Sequence, residues 1–197
     1  MTIDCNTLLS SGVGALMGSA LTLLAAYLTH RWDISKQKEQ DAQLLKGILQ
    51  AMHDEIETLW DAYIEGIGNQ IEALQDGHPL NMYWPITQDY FTVYNSNAFF
   101  IGRIQDHDLR KLIVSTYSNA RGLIDSYRLN NDFVNKYEHA FWLYQETNNQ
   151  MHKANADACY TGLVQYSSKL KKRHTDVKQQ VQALLRALRK EGVLAKS

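Results

Sequence analysis

Between Leu8 and Leu28 the chain reads LLSSGVGALMGSALTLLAAYL, without one charged residue. A helix needs roughly 20 apolar residues to cross ~30 Å of hydrocarbon, and an uncharged run of that length is unusual in a soluble core. The run predicts a transmembrane helix over 8–29, with 1–7 as a short non-cytoplasmic tail and 30–197 as a cytoplasmic helical domain. The leading MTIDCNT has no Lys or Arg and no A-x-A-like site follows the run, so it reads as an anchor rather than a cleaved leader.

Orientation follows from the flanks. Basic residues gather on one side only, at Arg31, Lys36, Lys38 and Lys46, which predicts a bacterial inner-membrane protein with its N-terminus outside and its C-terminal domain in the cytoplasm. Tyr27 and Trp32 stand where an interfacial aromatic belt belongs. Along the predicted span, Ser11, Ala15, Gly18, Thr22, Ala25 and Thr29 step by four and three, and Gly14 pairs with Gly18 as GxxxG. Helices associate in lipid by close backbone approach, so this small-residue stripe reads as a seam between copies, as the lining of a narrow pore, or as part of a plain anchor.

The rest of the chain is built for long helices. Only two prolines occur, Pro79 and Pro85, so neither interrupts a helix elsewhere. Leu45, Ile48, Met52, Ile56, Leu59, Tyr63, Ile67, Ile71 and Leu74 recur at helical spacing and predict a helix over 34–75, stopped at Asp76-Gly77 and weakened at Gly66 and Gly68. A proline-flanked loop carries Tyr83 and Trp84, and Thr87 is the expected cap of a short helix ending near Gly102. Asp106 or Asp108 opens a helix to Thr147 with an apolar stripe of Ile113, Ala120, Leu123, Tyr127, Val134, Tyr137, Phe141 and Tyr144. After a turn at Asn148-Asn149, a last helix over 154–191 places Leu163, Ser167, Leu170, His174, Val177, Val181, Leu184 and Leu188 in heptad order, which predicts coiled-coil packing. The expected fold is all-α, a transmembrane helix followed by a long-helix bundle.

Charge separates along the chain. The near-zero balance of 20 basic and 21 acidic residues excludes a globally basic nucleic-acid binder. Residues 54–76 nevertheless carry only acidic charges, and 169–190 are strongly basic, so these two segments are expected to be neighbours within or between chains.

No P-loop, dinucleotide fingerprint, HExxH or nucleophile elbow is present, so the chain reads as a non-enzyme. No Glu-x-x-His occurs, and His53 with Glu57 lacks a partner pair, so neither a metal nor another cofactor is expected. His174, at a heptad position, reads as a hydrogen-bonded core residue that sets register. Cys5 and Cys159 fall on opposite sides of the span and cannot pair. One stripe points to a ligand: Arg110, Tyr117, Arg121 and Arg128, followed by Asn135 and His139, fall on nearly one helical line. Arginines interleaved with tyrosine can hold phosphates and stack on bases. A solvated face, or arginines paired with the acidic first helix, is the plainer account of the same residues. Tyr83 and Trp84 are open to two readings, stacking residues or a lid on the bundle's end.

An uncharged membrane helix with a small-residue stripe, joined to a helical cytoplasmic domain, resembles the small membrane effectors of bacterial anti-phage defence, the Hailong type in particular. The resemblance is architectural and rests on no diagnostic motif. It implies a homo-oligomeric ion channel in the lipid bilayer, controlled by a nucleotide or DNA oligomer, whose opening depolarises the infected cell. The competing expectation is a passive membrane-tethered scaffold that binds a protein partner.

Overall fold

In a computed structural model the backbone is described for residues 5–86 and 90–190, and side chains for 22–86 and 90–190. All the elements are helical: α1 (Cys5–Tyr63), a π-helical turn (Ile64–Gly68), α2 (Asn69–Ala73), α3 (Thr92–Ser96), α4 (Ala98–Ile101), α5 (His107–Thr147) and α6 (Gln150–Lys190). No strand occurs among the described residues. The chain divides into two units, Met1–Lys46 and Gly47–Ser197.

The first unit holds the N-terminal part of α1. Leu23, Leu24, Tyr27, Leu28 and Trp32 are exposed on it, Thr29 Oγ1 donates to the Ala25 carbonyl at 2.9 Å, and the Arg31 guanidinium lies 6.0 Å from the Tyr27 ring centroid. Among the described residues no helix is long and apolar enough to cross a membrane. Most of the predicted span, and with it the side chains of Ser11, Gly14, Ala15 and Gly18, lies outside the residues whose side chains are described; Thr22 and Ala25 are exposed.

The second unit is a bundle built on an α5–α6 hairpin. Asp106 caps α5 by accepting from the Asp108 and Leu109 amides at 2.8 and 2.9 Å, which satisfies two first-turn donors. Asn148 ends α5 in the left-handed conformation, at φ 48°, a role asparagine fills more readily than other non-glycine residues. All eight heptad residues of α6 are buried, as is Ala156. On α5 the expected stripe is buried from Ile113 to Val134, but Tyr137 and Tyr144 are half-buried and Phe141 is 38 % exposed. Toward the tip of the hairpin that face is left partly open, so periodicity alone overstates its burial.

From Gly47 onward α1 covers the hairpin through Ile48, Met52 and Ile56, and the chain continues through the π turn to Ile67 and Ile71. The sequence predicts one helix over this stretch; the structure inserts the π turn at the two glycines instead. A Cβ on Gly68 would stand 2.7 Å from Ile64 Cδ1 and 3.2 Å from Tyr63 Cε1, so a larger residue at this point requires the Ile64 side chain to move aside. The helix ends at Ala73, short of Asp76-Gly77, because Leu74 is already extended.

The connection from Pro79 to Ile86 is pinned by side chains of the hairpin. Ser167 Oγ accepts from the Leu80 amide at 2.8 Å, Asn130 Nδ2 donates to the Leu80 carbonyl at 3.1 Å, and Asn131 bonds both the amide and the carbonyl of Trp84 at 3.0 and 2.7 Å. Thr87, the expected cap, lies outside the described residues. The following helix begins at Thr92, and its capping group comes from another element. Glu55 of α1 accepts from the Val93 and Tyr94 amides at 2.7 and 3.1 Å, a carboxylate at the positive end of a helix.

Candidate ligand cleft and the buried network behind it

Two adjoining cavities stand out in the bundle. The inner one, of about 50 Å³, is apolar and is walled by Trp60, Tyr63, Trp84, Ile124 and Tyr127 among others. The outer one, of about 300 Å³, is lined by Asn95, Arg121, Asp125 and Arg128. Tyr90, Phe91 and Ile124 belong to both. A cationic opening therefore adjoins an aromatic wall.

The arginines are held from their sides. Arg121 donates to Asn95 Oδ1, and its guanidinium lies 5.9 Å from the Phe91 ring and 5.8 Å from the Tyr94 ring. Arg128 pairs with Asp125 at 2.8 Å, one turn back on α5, while both remain exposed. An exposed pair of this kind contributes little to stability, so an incoming anion can compete with Asp125 for Arg128 at low cost.

The predicted stripe is thereby divided. Arg121 and Arg128 share the outer cavity. Arg110 lies lower on α5, donates to the Ile104 carbonyl, and is 3.1 Å from His107 Nδ1. Asn135 and His139 are exposed toward the hairpin tip. Tyr117 is not a ligand contact: it is fully buried, stacks on Tyr94 at 4.1 Å, and its hydroxyl donates toward the Met52 carbonyl at 3.2 Å and Glu55 Oε2 at 3.1 Å. Burial, with the Glu55 carboxylate beside it, pushes this phenol well above its ordinary range. The four residues do lie on one line, but the α3 segment buries that line at Tyr117, only flanks the exposed Arg121, and leaves Arg128 exposed.

Behind the inner cavity runs a chain of polar groups that joins all the long helices of the bundle. Tyr63 Oη stands 2.9 Å from Tyr127 Oη and 2.6 Å from His174 Nδ1, and His174 Nε2 is 3.0 Å from Glu72 Oε1, which also accepts from Lys178 Nζ at 2.7 Å. The carboxylate fixes the proton on His174 Nε2, so Nδ1 accepts from Tyr63, and Tyr63 in turn accepts from Tyr127. The neutral imidazole completes this chain without a missing or surplus proton. Burial lowers His174 from its ordinary pKa of 6.5, opposed by the Glu72 bond. Burial likewise raises Tyr63 far beyond the phenol range and pushes Tyr127 up to about 12. The Lys178 bond holds Glu72 below the usual carboxylate range. Trp60 stacks on His174 at 5.8 Å, and the edge-on ring of Trp84 lies 5.7 Å from Tyr63 and 4.9 Å from Tyr127. Trp84 is thus the lid, whereas Tyr83 is exposed.

The heptad position of His174 marked it in the sequence. Its partners Tyr63, Glu72 and Tyr127 come from three other segments, and nothing local to them signals the meeting. Charge segregation identified the general pairing: Glu57 meets Arg189 at 2.7 Å, Glu72 meets Lys178, and Asp76 meets Lys171 at 3.3 Å, all within one chain. Buried His53 accepts from Arg189 Nε at 3.3 Å and lies 3.2 Å from Asp54. Among the described residues no three His, Cys, Asp or Glu side chains gather as a metal site. The chain matches no described protein family, curated protein or solved structure.

Proposed function

We propose that this chain is an oligomeric membrane effector, a pore or ion channel gated from the cytoplasm by a nucleotide or DNA oligomer, serving anti-phage defence. The observation that carries the reading is one helix with two kinds of surface. Helix α1 runs from Cys5 to Tyr63, so the uncharged run Leu8–Leu28 and the cavity-wall residues Ile56, Leu59, Trp60 and Tyr63 belong to the same element. The exposed Leu23, Leu24 and Leu28 with Tyr27 and Trp32 suit a lipid-facing surface and its interfacial end. Arg121 and Arg128 supply charge for phosphate, and Tyr90 and Phe91 at the cavity margin supply rings. A ligand that enters between Arg121 and Trp60 favours one arrangement of α1 against α5, and a few kcal/mol of differential affinity suffices to shift a two-state helix. The seam Ser11, Gly14, Ala15, Gly18, Thr22 and Ala25 then lines or packs the pore.

The test is ion flux in proteoliposomes and membrane potential in expressing bacteria. The wild type is expected to pass ions and Gly14→Leu/Gly18→Leu to fail. A short oligonucleotide is expected to change the wild-type flux and leave Arg121→Ala/Arg128→Ala unaffected. No flux from the wild type, with or without oligonucleotide, would refute the channel.

A second reading, a membrane-tethered scaffold, draws on the hairpin tip. There Trp142 is 65 % and Met151 78 % exposed, beside the partly open Phe141 and Tyr160. Such a patch suits a protein partner. Stoichiometric recovery of another protein from membranes, with no flux, favours it.

A further inference from the structure

Part of the charge that separates the acidic and basic segments is paired inside the chain, and part of it is not. Lys171, Lys178 and Arg189 share the face of α6 turned to α1 and bond Asp76, Glu72 and Glu57. Lys169 and Lys172 lie on the face turned away, at ~100° per residue. They border a groove of about 330 Å³ along the hairpin, with Tyr166, Ser126, Arg173 and one acid, Asp176, so three basic side chains face a single carboxylate there. Arg173 already donates to the Gly122 carbonyl at 3.0 Å and to Ser126 Oγ at 2.6 Å, which fixes the groove's floor and leaves the two lysines projecting. Neither lysine has a hydrogen-bonding or ionic partner among the described residues.

The matching acids are Asp61 at the end of α1 and Glu65 in the π turn that follows it, both exposed and both without such a partner among the described residues. They are four residues apart, and Lys169 and Lys172 are three residues apart on α6, a rise of ~4.5 Å. The two pairs occupy different faces of the same bundle and cannot meet within it.

We infer that a second copy of this chain docks its Asp61–Glu65 face on the Lys169–Lys172 groove. Because the faces differ, the contact is head-to-tail, and repetition generates a ring where the rotation closes, rather than a two-fold dimer. Exposed ion pairs guide orientation more than they add affinity, so this surface sets how copies align, with the membrane seam contributing to their association. The inference rests on the oligomeric part of the proposed function and is independent of the ligand.

The experiment measures the mass of the full-length protein in detergent by light scattering. The wild type is expected to be an oligomer. Asp61→Lys/Glu65→Lys and Lys169→Glu/Lys172→Glu are each expected to lose it, and the chain with all four reversals to regain it. Mixing the two pair variants is expected to rebuild assemblies as well, since their reversed faces are complementary, and this arm also shows that each variant is folded. A monomeric wild type overturns the oligomeric reading itself. An oligomer unmoved by either reversal overturns only this interface. Loss in both variants without recovery, by four-fold reversal or by mixing, also overturns it, because charge pairing requires both.

Discussion

Removing one hydroxyl group tests whether the buried network holds the bundle together. In Tyr63→Phe the ring keeps its place beside Trp60, Trp84 and His174, but two groups lose their partner. Tyr127 is fully buried, and its hydroxyl has no other acceptor among the described residues; His174 is 1 % exposed, and its Nδ1 loses its donor. The imidazole cannot switch tautomer to recover, because Nε2 must keep its proton toward Glu72. Leaving one buried polar group unsatisfied costs about 1–3 kcal/mol, so the substitution is expected to cost about 3 kcal/mol. For a bundle of this size that corresponds to a melting shift of roughly 6–12 °C. Tyr127→Phe removes only a donor to Tyr63, which still donates to His174, and is expected to cost about 1 kcal/mol. The double variant leaves no stranded phenol at Tyr127, so its cost is expected to fall below the sum of the two by about 1 kcal/mol. The assay is denaturant unfolding of the full-length protein in detergent at pH 8, followed by helical circular dichroism. Strict additivity, or a Tyr63→Phe protein within 0.5 kcal/mol of wild type, refutes the argument that this hydroxyl satisfies both neighbours.

Two further outcomes follow from the same region. Folded His174 has a pKa below its ordinary 6.5, so on acidification the unfolded chain takes up its proton first. Stability contributed by the neutral imidazole is therefore complete well above pH 6.5 and declines as pH falls through that value, by up to about 1.4 kcal/mol per unit for one proton. Glu72, also depressed, adds to the loss at lower pH. In His174→Gln, the slope between pH 7 and 5 is expected to flatten, and an unchanged slope in denaturant titrations assigns the acid sensitivity to other groups. Glu55→Gln weakens the capping of α3 and the Tyr117 contact together; it is expected to destabilise by about 1.5–3 kcal/mol and to speed amide exchange at Val93 and Tyr94, while unaltered exchange there denies the cap its role.

The sequence by itself determined what depends on near neighbours along the chain. Heptad spacing identified the buried face of α6 through to Leu188, Asp106 or Asp108 and Asn148-Asn149 bounded α5, and segregated charge paired the acidic segment with α6. These properties follow from the 3.6-residue repeat and from groups a turn apart, so tertiary context is not needed to read them. Tertiary structure decided what covers each face at each height. Along one line of α5 it buried Tyr117 beneath the α3 segment and left Arg121 and Arg128 at a cleft, although helical phase treats all three alike. It left Phe141 partly open where the expected core face runs on toward the hairpin tip. It capped the helix that begins at Thr92 with the Glu55 carboxylate of another helix, and it closed Tyr63, Tyr127, Glu72 and His174 into one network. Burial and hydrogen-bond partnership are properties of packed surfaces that meet across dozens of residues, and no periodicity within one segment encodes which surface arrives there.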